Sequence, residues 1–394
     1  MVAFHDIVMI CRDHPQILIF LSLAIGYYIG QLSIFGFTLG STAGVLLAAL
    51  AFGQIDVTIT PLIKDVAFAL FIFTIGYKVG PEFFGSLKKD GFNYIVISIF
   101  FAVAGLITAV VLGKLLAFDQ GTTAGLLAGA LTQSSILGTA EEAIRNLSIT
   151  ATQQKVLASD MAVAYAITYI FGVAGLILFY KIVPRILGLN LKAEAQQLDA
   201  TLTPKKLVPV ANPDGATNMI MLGFGCFLGS LLGLFAIYVG EIPLTLGMGG
   251  GVLLLGLLFG WMQLKYPAFG VIPDEVQWLL TSLGLNLFIA CVGLTAGPKA
   301  IDALQAQGIS LFFAGVALTL IPHILSLVFG MFFLRLNPLL LLGALTGAGT
   351  ATPALNVLKN EANSAAPALG YTIPYAIGNF VLTIWGTLIV HLIK

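Results

Sequence analysis

Charge is scarce in this chain. Of its 394 residues only 9% are Asp, Glu, Lys or Arg, against about 25% in a soluble domain, which excludes an ordinary water-soluble globule. The 18 basic and 18 acidic side chains cancel, so nothing points to nucleic acid, whose binders carry a basic excess. Cysteine is scarcer still. Cys11, Cys226 and Cys291 are scattered, without a CxxC or a pairing with His, so neither a disulfide framework nor a metal site is expected. HExxH and nucleophile–base patterns are missing as well, which argues against an enzyme, and no cofactor is implied. No cleavable leader is evident either. The first apolar run follows Arg12, Asp13 and His14 and lacks a cleavage pattern, so the first helix is expected to act as its own insertion signal.

Long hydrophobic runs are what the sequence has. Hydrophobic residues make up 58% of the chain. No charge falls between Asp13 and Asp56, Asp90 and Lys114, Asp160 and Lys181, Glu275 and Lys299, or Asp302 and Arg335. Crossing a hydrocarbon core of about 30 Å takes roughly 20 apolar residues in a helix, and these runs suffice. They are continuous rather than alternating, which rules out the strands of a membrane β-barrel. The fold class is an all-α polytopic membrane protein.

The chain also repeats itself. FTLGSTAGVLLAALAFG (37–53) matches LTLGMGGGVLLLGLLFG (244–260), and Gly26 and Gly233 share that spacing. LFIFTIGYKVGP (70–81) matches LFIACVGLTAGP (287–298), GALT (129–132) matches GALT (343–346), and YAIT (165–168) matches YAIG (375–378). Several matches in the same order imply a tandem duplication. Residues 1–183 form the first transmembrane repeat, 184–215 a soluble linker, and 216–394 the second repeat. The linker carries charges, Pro and turn residues and is too short for an independent domain.

Six elements are expected per repeat, and the fifth is unusual in both. In the first copy Thr132-Gln133-Ser134-Ser135 interrupts an apolar run, and in the second Thr346-Gly347-Ala-Gly349-Thr350-Ala-Thr352-Pro353 does the same. Such residues weaken a helix, and unwound backbone at membrane depth is tolerated only inside protein or beside a water-filled cavity. The fifth element is therefore either a re-entrant hairpin, giving five crossings and inverted repeats, or a broken crossing helix, giving six and parallel repeats. Total Lys and Arg do not discriminate. The two richest clusters do: Lys181, Arg185, Lys192, Lys205 and Lys206 in the linker, and Lys78, Lys88 and Lys89. Five crossings put both on one face, the cytoplasmic one by the positive-inside rule. Two inverted repeats, each of five transmembrane helices plus a re-entrant element, are expected.

Paired interrupted segments in inverted repeats are the sequence-level pointer to a secondary transporter's binding site. A helix that starts in mid-membrane presents unpaired N–H groups and a positive dipole end, which holds a carboxylate without a buried cation. Thr132, Gln133, Ser134, Ser135, Thr346, Gly347, Gly349, Thr350 and Thr352 are the substrate-binding candidates; the bland alternative is that small residues serve helix packing. Lys78 is balanced between a substrate contact and an interfacial anchor. Asp160 is a possible ion-coupling residue, although helix capping is the simpler role. Glu141, Glu142 and Arg145 read most simply as an interfacial charge cluster, with a substrate contact of Arg145 as the sharper reading, and Asn379, Tyr165 and Tyr375, on the helices after the interruptions, contact substrate or merely pack. Gly76, Gly80 and Pro81, their repeats Gly293, Gly297 and Pro298, and Pro353 are structural or hinge positions. His323 reads as a satisfied packing residue.

LFIFTIGYKVGPEFF with the GALTQSS and YAI segments, all echoed in the second half, resembles the aspartate:alanine exchanger family over nearly the whole chain. The five-crossing repeat also resembles citrate-type 2-hydroxycarboxylate transporters in architecture. The family resemblance implies exchange of external aspartate for internal alanine by alternating access in a bacterial inner membrane, with a small-molecule carboxylate as substrate and the bilayer as partner. Related members export succinate, so a cation- or proton-coupled C4-dicarboxylate exporter is the alternative. Transporters of this general design are often homodimers. The family usually carries two soluble regulatory domains between its halves, where this sequence has only the short linker.

Overall fold

The computed structural model describes residues 2–34, 37–86, 91–199, 215–239, 242–245, 247–266 and 271–393. In the first half the helices are α1 (Val2–Asp13), α2 (Pro15–Gly30), α3 (Ser41–Gly53), α4 (Pro61–Ser86), α5 (Phe92–Leu115), α6 (Gln120–Ala130), α7 (Ser135–Arg145) and α8 (Ala151–Ile186). The linker contributes α9 (Leu191–Asp199); residues 200–214 of it, with Lys205 and Lys206, lie outside the described residues, as do Lys88 and Lys89. The second half holds α10 (Gly215–Gly233), α11 (Gly247–Lys265), α12 (Asp274–Phe332), α13 (Pro338–Ala348), α14 (Thr352–Ala362) and α15 (Pro367–Leu392). Two short antiparallel ribbons, β1 (Ser33–Ile34) with β2 (Phe37–Thr38) and β3 (Ala236–Val239) with β4 (Ile242–Thr245), join α2 to α3 and α10 to α11.

Helix direction decides between the two geometries for the fifth element. Gly121, Gly125 and Gly129 of α6 abut Leu157, Met161 and Tyr165 of α8 in that order, so α6 and α8 run parallel. For α8 to start on the face where α6 began, α7 must carry the chain back. Each arm has 11 residues, about 16 Å at 1.5 Å per residue, half a hydrocarbon core. The second copy repeats this: Gly343 abuts Pro367, Gly347 abuts Tyr371, and Gly378 of α15 abuts Ala348, so α13 and α15 are parallel too. Both fifth elements are re-entrant hairpins.

One expected boundary is absent. The third and fourth elements of the second repeat form the single 59-residue helix α12, yet it crosses twice. Ser159 of α8 donates to the Ala296 carbonyl, and Gly315 packs on Thr168. A straight helix would separate residues 296 and 315 by about 28 Å, whereas residues 159 and 168 are about 14 Å apart along α8. α12 therefore bends just beyond Pro298, and each repeat has five crossings. An odd number inverts the second copy relative to the first, so the two hairpins enter from opposite faces. The linker and Lys78 share one face, called here the linker face; the base of the first hairpin lies on the far face.

Two bundles result. One interleaves the repeats: Gly76 and Gly80 of α4 lie against the α11 backbone at Leu253 and Leu257, while Gly293 and Gly297 of α12 lie against α3 at Ala49 and Gly53. The GxxxGP segment of each copy thus packs on the second crossing of the other, where only glycine lets backbones meet. The other bundle holds both hairpins, α5, α8, α15 and the second half of α12.

Candidate functional site

The hairpin tips are built alike. Thr132 follows α6 at φ 54° and Thr350 follows α13 at φ 54°, a left-handed conformation that is uncommon for a β-branched residue. Behind each, the next residue donates five positions back: Gln133 N–H to the Ala128 carbonyl and Ala351 N–H to the Thr346 carbonyl, both at 2.8 Å. This is the Schellman closure that normally takes glycine. A strained threonine at both tips indicates that the side chain is wanted there.

This geometry corrects the sequence register. Matching GALT to GALT paired Thr132 with Thr346, but Thr132 is equivalent to Thr350, and Thr346 falls one turn earlier. Thr346 is fully buried and gives its hydroxyl to the Gly343 carbonyl at 2.7 Å. The tyrosines shift likewise. Tyr165 stacks near Tyr169 and Tyr371 near Tyr375, with centroids 5.2 and 4.9 Å apart. Tyr165 hydroxyl meets Ser134 Oγ at 2.7 Å, and Tyr371 hydroxyl meets Thr352 Oγ1 at 2.8 Å. Tyr165 is thus the counterpart of Tyr371, not of Tyr375. The paired YxxxY spacing was the signal that would have shown it. Gly26 and Gly229 likewise occupy matching contacts, on Val45 and Val252, so Gly26 is not the partner of Gly233.

Gln133 joins the two tips. Its Nε2 donates to Asn379 Oδ1 at 3.3 Å, and its Oε1 accepts from Thr350 Oγ1 at 3.2 Å. Asn379 Nδ2 donates to the Tyr375 carbonyl at 2.8 Å, which turns its oxygen toward Gln133 and fixes both amides. Thr383 donates to the Asn379 carbonyl at 2.6 Å, so Ser135 Oγ is the donor in its 2.6 Å contact with Thr383 Oγ1. Thr132, Thr350 and Pro353 face a cavity of about 70 Å³ between the tips, closed by Tyr169 and Leu176 of α8. Neither Ser134 nor Ala351, the residues that start α7 and α14, caps its helix with a side chain. Two mid-membrane helix N-termini with positive dipole ends therefore converge beside hydroxyl and amide donors.

The remaining candidates lie elsewhere. Lys78 is exposed on α4, apart from the tips. Arg145 sits at the far-face end of α7, bonded to Asp65 at 2.8 Å. Asp160 lines a separate cavity. Gly347 packs against α15, and Gly349 abuts Phe101 and His323. His323 is not fully satisfied: Nδ1 donates to the Thr319 carbonyl at 2.7 Å, but Nε2 has no partner among the described residues.

An unforeseen charge network ties α7 to the interleaved bundle. Lys64 of α4 pairs with Glu141, the two 8% and 6% exposed. Beside it Glu142 accepts from the Met248 N–H at 2.6 Å, at the N-terminus of α11. Gly247 there adopts φ 66°, and any side chain would strike the Glu142 carboxylate.

Inverted repeats and apposed re-entrant tips define a secondary transporter. The chain belongs to the aspartate–alanine exchanger (Asp-Al_Ex) family, whose model, described as a predicted permease membrane region, matches residues 18–185 and 221–391. Among relatives, an aspartate/alanine antiporter of Tetragenococcus halophilus is 26% identical, covering 96% of this chain and 98% of its own. An uncharacterized transporter of Shewanella oneidensis is 26% identical over 96% and 98%, and one of Bradyrhizobium diazoefficiens 29% over 95% and 97%. The first of these two alignments runs over 548 positions for a chain of 394 residues, so that relative contains a long stretch without counterpart here. The protein is a multi-pass transporter of the bacterial inner membrane.

Proposed function

We propose that this transporter exchanges an anionic dicarboxylate amino acid, aspartate, for a monocarboxylate amino acid, alanine, by alternating access. The observation that carries the reading is the Gln133 bridge between two uncapped, mid-membrane helix starts. Such a site offers a carboxylate two positive dipole ends and several neutral donors. The Gln and Ser side chains of the first tip and the Gly–Thr backbone of the second suit a substrate with two unlike ends. The name of the Tetragenococcus relative supports the same substrates.

Access alternates when the hairpin bundle moves against the interleaved bundle. Here the Lys64–Glu141 and Arg145–Asp65 pairs and the Glu142 contact hold α7 to α4 and α11, closing the far side. Lys and Arg placement makes that side external. Aspartate carries one net negative charge and alanine none, so each exchange moves charge, worth about 2.3 kcal/mol per 100 mV. A homodimer, with the interleaved bundle as its fixed centre, belongs to this reading. Liposomes preloaded with alanine should take up labelled aspartate far faster than empty ones. Equal uptake into both would remove the exchanger reading.

A further inference from the structure

A slot of about 560 Å³ lies between the two bundles. Leu47 and Ala51 of α3 line it from the interleaved bundle, Val163 and Ile170 of α8 from the hairpin bundle, and Ile301 and Leu304 from the bend of α12. Apart from Gln54 its lining is apolar, and its volume is that of a ligand pocket rather than a packing defect. From Leu47 to Gln54 it runs about 10 Å along α3 toward the far face, at 1.5 Å per residue. There Gln54 donates to the Gly297 carbonyl and ties α3 to the bend. Leu47, Ile170, Ile301 and Leu304 are exposed, so the slot opens sideways onto the hydrocarbon of the bilayer.

A polar cavity of about 390 Å³ adjoins the slot. Val163 lines both, and the bend of α12 is divided between them: Ile301 and Leu304 turn to the slot, Lys299, Asp302 and Gln307 to the polar side. Thr122 of α6 and Asp160 of α8 line that polar side as well. Among the described residues neither Lys299 nor Asp302 is in a salt bridge. Thr122 supplies an independent sign of a bound species. It is 1% exposed, and its Oγ1 has no hydrogen-bond partner among the described residues. Buried polar atoms without partners are few in native proteins and call for a reason. We propose that slot and cavity form one lipid site, with an acyl chain in the slot and the headgroup of an ethanolamine phospholipid in the polar cavity.

The charges select the headgroup. Lys299 and the Thr122 hydroxyl are donors for a phosphate, and Asp160 and Asp302 are acceptors for an ammonium. A primary ammonium carries three N–H donors, whereas the quaternary ammonium of choline has none. A phosphoglycerol headgroup brings no cation and sets its phosphate against two carboxylates, a juxtaposition of like charges that costs affinity. The site also stands between moving parts. Because α3 and α8 belong to different bundles, a chain lodged between them fills the gap of this far-closed state, and movement of the hairpin bundle must reshape the slot. That consequence rests on the alternating-access reading, whereas lipid binding does not.

Native mass spectrometry of the purified full chain tests binding, with phosphatidylethanolamine, phosphatidylcholine and phosphatidylglycerol of the same acyl chains offered at equal concentration. One phosphatidylethanolamine should stay on the chain after looser lipid is stripped, about 10-fold more than either of the others. Asp302→Asn and Lys299→Gln, both at exposed positions, should bring it down to the level of phosphatidylcholine. Ala51→Trp, which fills the slot from the exposed side of α3, should remove the retained lipid at an unchanged unfolding temperature. Equal retention of the three lipids, or a preference for phosphatidylglycerol, overturns the proposal. So does phosphatidylethanolamine retention that is unchanged in Ala51→Trp or in both charge variants. In alanine-loaded proteoliposomes, replacing phosphatidylcholine by phosphatidylethanolamine should slow native aspartate uptake, because a lipid that binds one state holds the protein there, and should leave Ala51→Trp unaffected. An equal or higher native rate overturns the coupling to movement. A chain that retains the lipid but exchanges no aspartate for alanine refutes the transport reading and leaves the lipid site standing.

Discussion

The two hairpins share a backbone and differ in how they are held. At the tips both use a left-handed threonine and a Schellman closure. At the bases they part. The first is tied to the other bundle by a buried Lys64–Glu141 pair, an Arg145–Asp65 pair and a carboxylate on the start of α11. The second is met by Arg185, 72% exposed, at 3.5 Å from Glu361, and by Glu194 of the linker helix, which accepts from Asn337. Duplication supplied the paired hairpins, and divergence left one base held by strong electrostatic contacts and the other by slight ones, which the proposed alternating access uses as a strong and a weak gate.

The largest expected effect breaks the strong gate. Lys64→Ala strands the Glu141 carboxylate in a buried site where its Oε2 already lacks a partner among the described residues. Removing one member of such a pair costs about 3–5 kcal/mol, to be read as a large drop in thermal unfolding temperature in detergent. Replacing both residues by Met and Leu should restore most of that stability, since a buried pair and its apolar replacement are nearly equivalent. It should not restore gating, and cysteines placed on α7 and α4 would then become accessible from the far face. If the double variant transports normally, the pair is scaffolding only.

Next comes the bridge between the tips. Gln133→Leu leaves the Asn379 carbonyl oxygen and the Thr350 hydroxyl without their partner. The orphaned oxygen of buried Asn379 costs about 1–3 kcal/mol and the half-buried Thr350 hydroxyl less, and an exchange rate lower by about 10- to 100-fold is expected. Ser135→Ala removes one hydroxyl contact at the same depth and should act more weakly. An unchanged rate in Gln133→Leu would take this residue out of the site.

Much of this architecture was legible in the sequence, and the failures have physical causes. Interrupted fifth elements stood out because Thr132 to Ser135 and Thr346 to Pro353 place polar and helix-weakening residues where an apolar helix should run. Their register did not, since GALT is compatible with either turn of a Gly/Ala/Leu helix; only the left-handed φ of Thr132 and Thr350 fixes the equivalence. The bend in α12 was expected as a loop, yet Lys299 to Gln307 is a good helix-forming stretch, and the backbone bends without breaking. Glu141, Glu142 and Arg145 were recognised as an interfacial cluster, but their partners Lys64, Asp65 and Met248 come from 77 or more residues away, across the two bundles. Periodicity cannot report such a contact. Asp160 drew attention as a charge beside an apolar run, while the role of Asp119 as the cap of α6 appears only in three dimensions.

The tips themselves offer a finer comparison. A threonine held left-handed is strained by about 1–2 kcal/mol, which glycine relieves at an entropic cost of about 0.5–1 kcal/mol. Thr132→Gly should therefore raise stability slightly. Thr350→Gly should gain less, because it also loses the hydrogen bond to Gln133, worth about 1 kcal/mol. Thermal unfolding of the two variants side by side reads the difference. Both should weaken aspartate binding, measured as a higher KM for exchange, if the hydroxyls face substrate. Higher stability with unchanged KM would mean that the threonines serve the fold and not the ligand.

The smallest effect lies at the weak gate. Arg185→Ala removes a pair that is mostly solvent-exposed and 3.5 Å long, the kind worth about 0–1 kcal/mol. The unfolding temperature should hardly move, and added salt should abolish what difference there is. If the inequality of the two bases sets the resting state, this variant leaves the far side closed, whereas Lys64→Ala opens it. A far-face cysteine that is labelled equally in both variants would show that the two gates are equivalent after all. It would also return the asymmetry of the transporter to its tips, where Gln133 stands opposite Ala351.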